Sequence, residues 1–156
     1  MNHDNSSEIN RRISPEPNIQ NICAIVITYH PDLEIYDRIA RIASQVKKVI
    51  IVDNGSSEKN VRELNKISGE LGVHLILNEE NLGVATALNI GFDYACNSDN
   101  LFHWCLTMDQ DTILYPQMVR NLINAYKECP FKNDLGIIGS NYEEYNTGRI
   151  LFDNKN

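Results

Sequence analysis

The chain has 156 residues, 42% of them hydrophobic and 22% charged, enough apolar mass for one ordinary domain with a buried core. Acidic residues outnumber basic ones, 21 to 14, giving a net charge of −7 and a pI near 5.0. That balance argues against a nucleic-acid backbone or an anionic membrane surface as the main partner, since both call for a basic face.

Residues 1–21 are polar, include Ser14-Pro15-Glu16-Pro17, and read as a disordered tail ahead of a domain over 22–156. The opening MNHDNSSEINRR lacks the basic-then-apolar plan of a signal peptide, and no apolar run approaches the roughly 18 residues of a membrane span. Ile22–Thr28 (ICAIVIT) is a continuous, largely β-branched run, the signature of a strand buried on both faces. It ends in Tyr29-His30-Pro31-Asp32, where Pro31 restrains His30 and favours a turn. Leu33, Ile35, Ile39, Ile42, Ala43 and Val46 then predict a helix over Leu33–Gln45.

Val49–Asp53 is a second buried strand, broken by Asn54-Gly55-Ser56-Ser57. Either serine can cap the next helix, which carries Val61, Leu64, Ile67 and Leu71 and stops near Gly72. Val73–Leu77 is a third strand, Asn78–Gly83 a polar turn and Val84–Cys96 a helix rich in small residues. The apolar run from Leu101 to Met108 forms a fourth strand that stops at Asp109. Pro116 suits the first turn of a helix whose stripe is Val119, Leu122, Ile123 and Tyr126, and Leu135–Gly139 reads as a fifth strand.

This alternation predicts an α/β, Rossmann-like fold: a mostly parallel sheet with helices on both faces. Ligands of such sheets bind at the carboxyl ends of the strands. Thr28 and Tyr29, Asp53, Asn78–Gly83 and Asp109–Asp111 all lie at such ends.

The most telling of these is Asp109-Gln110-Asp111. In an extended chain, residues i and i+2 point to one side, roughly 6–7 Å apart. Two like charges so placed ask for a cation, a basic side chain or plain solvent. Hard carboxylate oxygens suit Mg²⁺ or Mn²⁺, which take one or two carboxylates and complete their shell with water and phosphate. The other reading, a strand ending in an acidic turn, stays open on this segment alone. Tyr29 offers an aromatic face for a nucleobase, or an aromatic plug over the sheet end. Asp53 can accept from a base N–H or a ribose hydroxyl, or cap its own βα turn. Asn81 and Gly83 precede a helix start whose N–H groups suit a phosphate, or they serve a turn and tight helix–sheet packing. Neither GxGxxG nor GxxxxGK[ST] occurs, so neither a dinucleotide fold nor a P-loop is indicated. The scattered Cys23, Cys96, Cys105 and Cys129 read as buried, reduced thiols of a cytosolic protein, and the histidines show no ligand spacing.

Taken in order, TYHPD, IIVDNGSS, NLGVATALNIG and LTMDQDT resemble the nucleotide-binding half of family 2 glycosyltransferases of the GT-A type. DQD in place of the general DxD is similar to the rhamnosyltransferase-like branch. The likeness runs from about Ile22 to Ser140. It implies an inverting, metal-dependent transfer of a sugar, rhamnose in that branch, from a nucleoside diphosphate donor to an acceptor hydroxyl. By resemblance, Thr28 and Tyr29 fall in the segment that holds the base, Asp53 bonds base or ribose, and Asn81 and Gly83 lie in the loop near the donor. Asp109 and Asp111 match the DxD that holds Mg²⁺ or Mn²⁺, the first nearer the ribose and the second on the metal. The implied donor is dTDP-rhamnose or a UDP-sugar and the acceptor a glycan or lipid-linked glycan. The implied setting is cytoplasmic polysaccharide assembly at the inner face of the membrane.

In the family the catalytic base and the acceptor site come from a carboxyl-terminal half, which this sequence lacks. Glu143 and Glu144 match no family motif, and no catalytic residue is assigned. The expectation is therefore a truncated GT-A half: a fragment of an enzyme, or a non-catalytic nucleotide-sugar-binding module. A phosphatase of the haloacid dehalogenase type also uses DxD at a strand end. It wants Thr or Val four residues after the first Asp, where this chain has Ile113.

Overall fold

The computed structural model describes residues 15–97, 102–144 and 147–151. Four parallel strands form the sheet: β1 (Ile22–Thr28), β2 (Lys48–Asn54), β3 (His74–Asn78) and β4 (Trp104–Asp109), in the order β3-β2-β1-β4. The connecting helices are α1 (Ile35–Ala43), α2 (Glu58–Leu71) and α3 (Val84–Asn97), and α4 (Met118–Glu128) follows β4. Leu101, the first residue of the fourth apolar run, lies outside the described residues.

Alternation along β1 explains the layers, because successive side chains face opposite sides of a sheet. Ala24 and Val26 join Ile35, Ile39 and Ile42 of α1, Leu64 and Ile67 of α2, and Val119 and Ile123 of α4 in one core. Cys23, Ile25 and Ile27 meet Ala87 and Ala95 of α3 in the other. Both faces are thus covered at the centre, and every residue of β1 is buried. On α3, Ala87, Gly91 and Ala95 form an i, i+4, i+8 stripe that lies hard on β1. A Cβ on Gly91 would fall 2.5 Å from Ile25 Cγ2. Small residues there serve close helix–sheet packing.

α2 starts on Ser57, whose hydroxyl accepts from the Asn60 N–H, and ends on Gly72 in the left-handed region at φ 65°. α4 begins two residues later than its proline predicts. Pro116 sits in the preceding turn and Gln117 caps the helix with φ 64°.

Three expectations need correction. The tail does not reach residue 21: Pro17 is buried, Trp104 Nε1 donates to the Pro15 carbonyl at 2.8 Å, and Lys132 pairs with Glu16 at 2.6 Å. Asn18 and Asn21 cap a 3₁₀ turn over Ile19–Asn21 reciprocally, which satisfies the polar groups that made this stretch look unstructured. Residues 1–14 lie outside the described residues.

Leu135–Gly139 is not a strand. Gly136 and Gly139 leave only Ile137 and Ile138 as a β-branched pair, too short a run to compete for an edge, and Ile137 is 88% exposed. A small antiparallel ribbon, β5 (Tyr142–Glu143) with β6 (Ile150–Leu151), follows instead. The thiols are also not uniformly buried. Cys23 is, but Cys96 sits at an exposed position of α3, and Cys105 is exposed because α3 packs over β1 and β2 and leaves that face of β4 uncovered.

Candidate functional site

The strand order reverses between β1 and β4, and a parallel sheet opens a crevice at the carboxyl ends beside such a switch. The register brings the relevant residues level. Thr28 lies opposite Asp53, Asn54 opposite Asn78, and Ile27 opposite Asp109. Every residue singled out in the sequence therefore sits at this one end of the sheet, but the structure uses them in two different ways.

Asp53 is 1% exposed and its carboxylate is occupied. Oδ1 accepts from Thr28 Oγ1 at 2.8 Å and Ser56 Oγ at 2.6 Å, and Oδ2 accepts from the Ser56 N–H at 2.9 Å. This is the turn-capping role, and it buries a charge among hydrogen-bond donors, the condition under which such burial is tolerated. Ser56 Oγ in turn accepts from the His30 N–H at 2.8 Å, and the Ser57 N–H donates to His30 Nδ1 at 3.3 Å. His30 holds φ 49°, away from the extended backbone a following proline favours. The Asp53 turn thus braces the segment that follows β1.

Asn54, which the sequence reading passed over, is the hub of the neighbouring loop. Its Nδ2 donates to Asn81 Oδ1 at 2.8 Å, while its Oδ1 accepts from Asn78 Nδ2 at 3.1 Å and the Leu82 N–H at 3.0 Å. Asn81 Oδ1 also accepts from the Gly83 N–H at 2.9 Å. The N–H groups of Leu82 and Gly83, just ahead of the helix start, are hence taken by side chains, which is the turn role open to Asn81 and Gly83. Gly83 supplies φ 80° and its carbonyl accepts from Ala87 as α3 starts. Gly55 is the tight spot: at φ 84°, a Cβ would lie 2.6 Å from the Glu80 carbonyl carbon.

Asp109 and Asp111 are different. Both are exposed, and neither carboxylate has a hydrogen bond or ion pair with any described residue. The Thr112 N–H donates to the Asp109 carbonyl at 3.2 Å, which closes a turn around the pair. Tyr29 is 46% exposed, its ring 4.3 Å from that of His30, centroid to centroid. Gln110 Oε1 accepts from the Tyr29 N–H at 2.8 Å and Nε2 donates to the Tyr29 carbonyl at 3.1 Å. Beneath it Arg38 donates to the Gln110 carbonyl at 3.3 Å and to both oxygens of Asp32, at 2.7 and 3.1 Å. Those bonds hold the Asp32 carboxyl below its ordinary value and raise Arg38. A DQD triplet signals its aspartates plainly, but nothing in the sequence tells that its glutamine turns back onto β1.

The donor set fits a hard divalent cation. No cluster of three or more His, Cys, Asp or Glu side chains occurs among the described residues, so an all-protein cage is not what the site offers. Two exposed carboxylates at the carboxyl end of the sheet, without a partner among the described residues, match an ion that draws its remaining ligands from water and phosphate. The apolar cavity of about 70 Å³ lined by Pro17, Ile22, Trp104, Leu106, Val119 and Ile138 reaches back to the first residues of β1 and β4, away from the aspartates.

The family model described as glycosyl transferase family 2 matches residues 23–151. The chain belongs to glycosyl transferase family 2. A family relative, the dTDP-rhamnosyl transferase RfbF of Shigella flexneri, is 30% identical over 103 residues, 65% of this chain and 33% of that protein. Two solved structures share the fold. S. aureus TarS 1-349 aligns with a TM-score of 0.52 at 18% identity, over 68% of this chain and 32% of that one. The mannosyltransferase PcManGT from Pyrobaculum calidifontis, in complex with GDP-Man and Mn²⁺, aligns at 0.51 and 22% identity, over 76% and 36%. The chain thus spans about a third of the length of the relatives it matches. Family membership sets aside the phosphatase alternative. No helix among the described residues is long and apolar enough to cross a membrane.

Proposed function

We propose that this family 2 domain is the donor-binding part of a metal-dependent, inverting glycosyltransferase and takes a nucleoside diphosphate sugar at the carboxyl ends of β1, β2 and β4. One observation carries the reading. At the carboxyl end of the sheet the Asp109 and Asp111 carboxylates stand exposed, with no hydrogen bond or ion pair to any described residue, while Asp53, on the other side of β1, is buried and fully engaged. Asp109 and Asp111 would hold Mg²⁺ or Mn²⁺, with Asp109 nearer the ribose. A cation there offsets the negative charge that builds on the departing diphosphate. Tyr29 offers its exposed ring to the base. Thr28, buried and bonded to Asp53, fixes the exit of β1. Asp53 acts on the ligand through the turn it caps, and Asn81 and Gly83 shape the loop that leads into α3. The relative that carries dTDP-rhamnosyl transfer supports dTDP as the first base to try and rhamnose as the first sugar.

Calorimetric titration of dTDP and UDP, with and without Mn²⁺, tests this. Tighter binding with Mn²⁺ that disappears in Asp111→Asn is the expected result, and equal binding by both proteins rejects it. A second reading, donor binding without transfer by this chain, has one observation in its favour. Glu143 accepts from the Tyr115 hydroxyl at 3.1 Å and Glu144 from Thr147 at 2.5 Å, so both carboxylates of this pair are engaged by the protein rather than by an acceptor. Release of free sugar or its transfer to an added glycan acceptor by the purified chain would refute it.

A further inference from the structure

Between the two carboxylates, Gln110 does something the aspartates do not: it crosses the switch crevice. We infer that Gln110 is a positioning residue that couples the cation seat to the base seat, by tying the Asp109–Asp111 turn to the main chain of Tyr29. The inference rests on the donor-site reading and deepens it.

The β1–β4 ladder has its last paired residues at Ile27 and Asp109. One residue beyond Asp109 and two beyond Ile27, the side-chain amide of Gln110 takes over: it accepts from the Tyr29 N–H at 2.8 Å and returns a bond to the Tyr29 carbonyl at 3.1 Å. A side chain thus prolongs the sheet where two main chains no longer pair. On its other side the Gln110 carbonyl takes the bond from Arg38, itself fixed by Asp32 and by Glu34 at 2.9 Å. The residue in the middle of the turn is held by α1 and by Tyr29 just past β1, while the flanking carboxylates carry no bond to any described residue.

The chemistry explains why an amide stands here. A neutral carboxamide both donates and accepts and adds no charge. Glutamate would accept from Tyr29 but could not return the second bond, and would place a third negative charge in the turn. Asparagine falls one methylene short. Because the aspartate turn and Tyr29 share this link, ordering one lowers the cost of ordering the other. A cation bound by the carboxylates and a base stacked on Tyr29 should each strengthen the other by the same factor.

The test compares wild type with Gln110→Met, which keeps the length and loses both bonds, and with Gln110→Ala should the first fold poorly. Mn²⁺ binding alone is read by paramagnetic resonance. UDP and dTDP affinities are read by calorimetry with and without Mn²⁺, and their ratio is the coupling factor. Exchange of the Tyr29 amide is followed without ligand, together with the melting temperature. The expected result is unchanged Mn²⁺ binding, a coupling factor about tenfold smaller and faster exchange at Tyr29. A lower melting temperature with an unchanged ratio would mean that the bonds only stabilise the fold, and overturns the inference. Loss of Mn²⁺ binding to the extent seen in Asp111→Asn overturns it too, since Gln110 would then be a ligand. If wild type itself shows no Mn²⁺-dependent nucleotide binding, the donor-site reading fails and takes this one with it. A failure confined to the variants leaves the donor-site reading intact.

Discussion

Asp53 and Asp109 lie at the carboxyl ends of the two strands that flank β1, opposite Thr28 and Ile27 respectively, and they live opposite lives. Asp53 is enclosed by hydroxyl and N–H donors and helps fix the backbone on both sides of it. The Asp109 and Asp111 carboxylates face solvent and make no hydrogen bond or ion pair with any described residue. Position along the sheet therefore does not tell a structural carboxylate from a ligand carboxylate. The number of donors folded around it does, because carboxylate oxygens already satisfied by protein donors are lost to a ligand.

The sharpest way to break this contrast is Asp53→Ala. It strands the Thr28 hydroxyl and both Ser56 donors in a buried site, and an expected loss of about 3–4 kcal/mol should appear in denaturant unfolding. Gly55→Ala comes next. It forces a side chain into the left-handed region and against the Glu80 backbone, so a loss of about 2–3 kcal/mol is expected in the same assay. On the other side of the comparison, Asp109→Asn and Asp111→Asn should each leave stability within about 0.5 kcal/mol of wild type without metal. Added Mn²⁺ should then raise the wild-type melting temperature and not that of either variant. The smallest effect belongs to Asp32. Its folded-state value lies below the ordinary 3.8, so its contribution is complete above that value and disappears as pH falls through the lower, folded one. Asp32 is more than half exposed, so solvent screens the pair and Asp32→Asn should remove under about 1 kcal/mol, read as a flattened acid limb of the melting-temperature profile.

The elements were largely legible because their signals are local. ICAIVIT cannot be anything but a doubly buried strand, and observed β1 starts and stops with it. Gly72 and Ser57 mark the ends of α2 by backbone chemistry alone. Leu135–Gly139 misled because its apolar letters carry no information about whether an edge is free to pair. In the site, the aspartate pair was legible as a motif. The bond of Asp53 to Thr28 and the partners of Asn54 and Gln110 were not, since each reaches across more than twenty residues to a segment whose approach only the packed sheet defines, whereas the Asp53–Ser56 cap is local.

Gly91 has no polar role, yet it governs how far α3 can settle onto Ile25. Any bulk added there works like a shim under a beam. The helix would tilt, and its start, about 10 Å away along the axis, would lift Asn81 off Asn54. Position 91 is thus a remote adjustment screw for the loop beside the crevice.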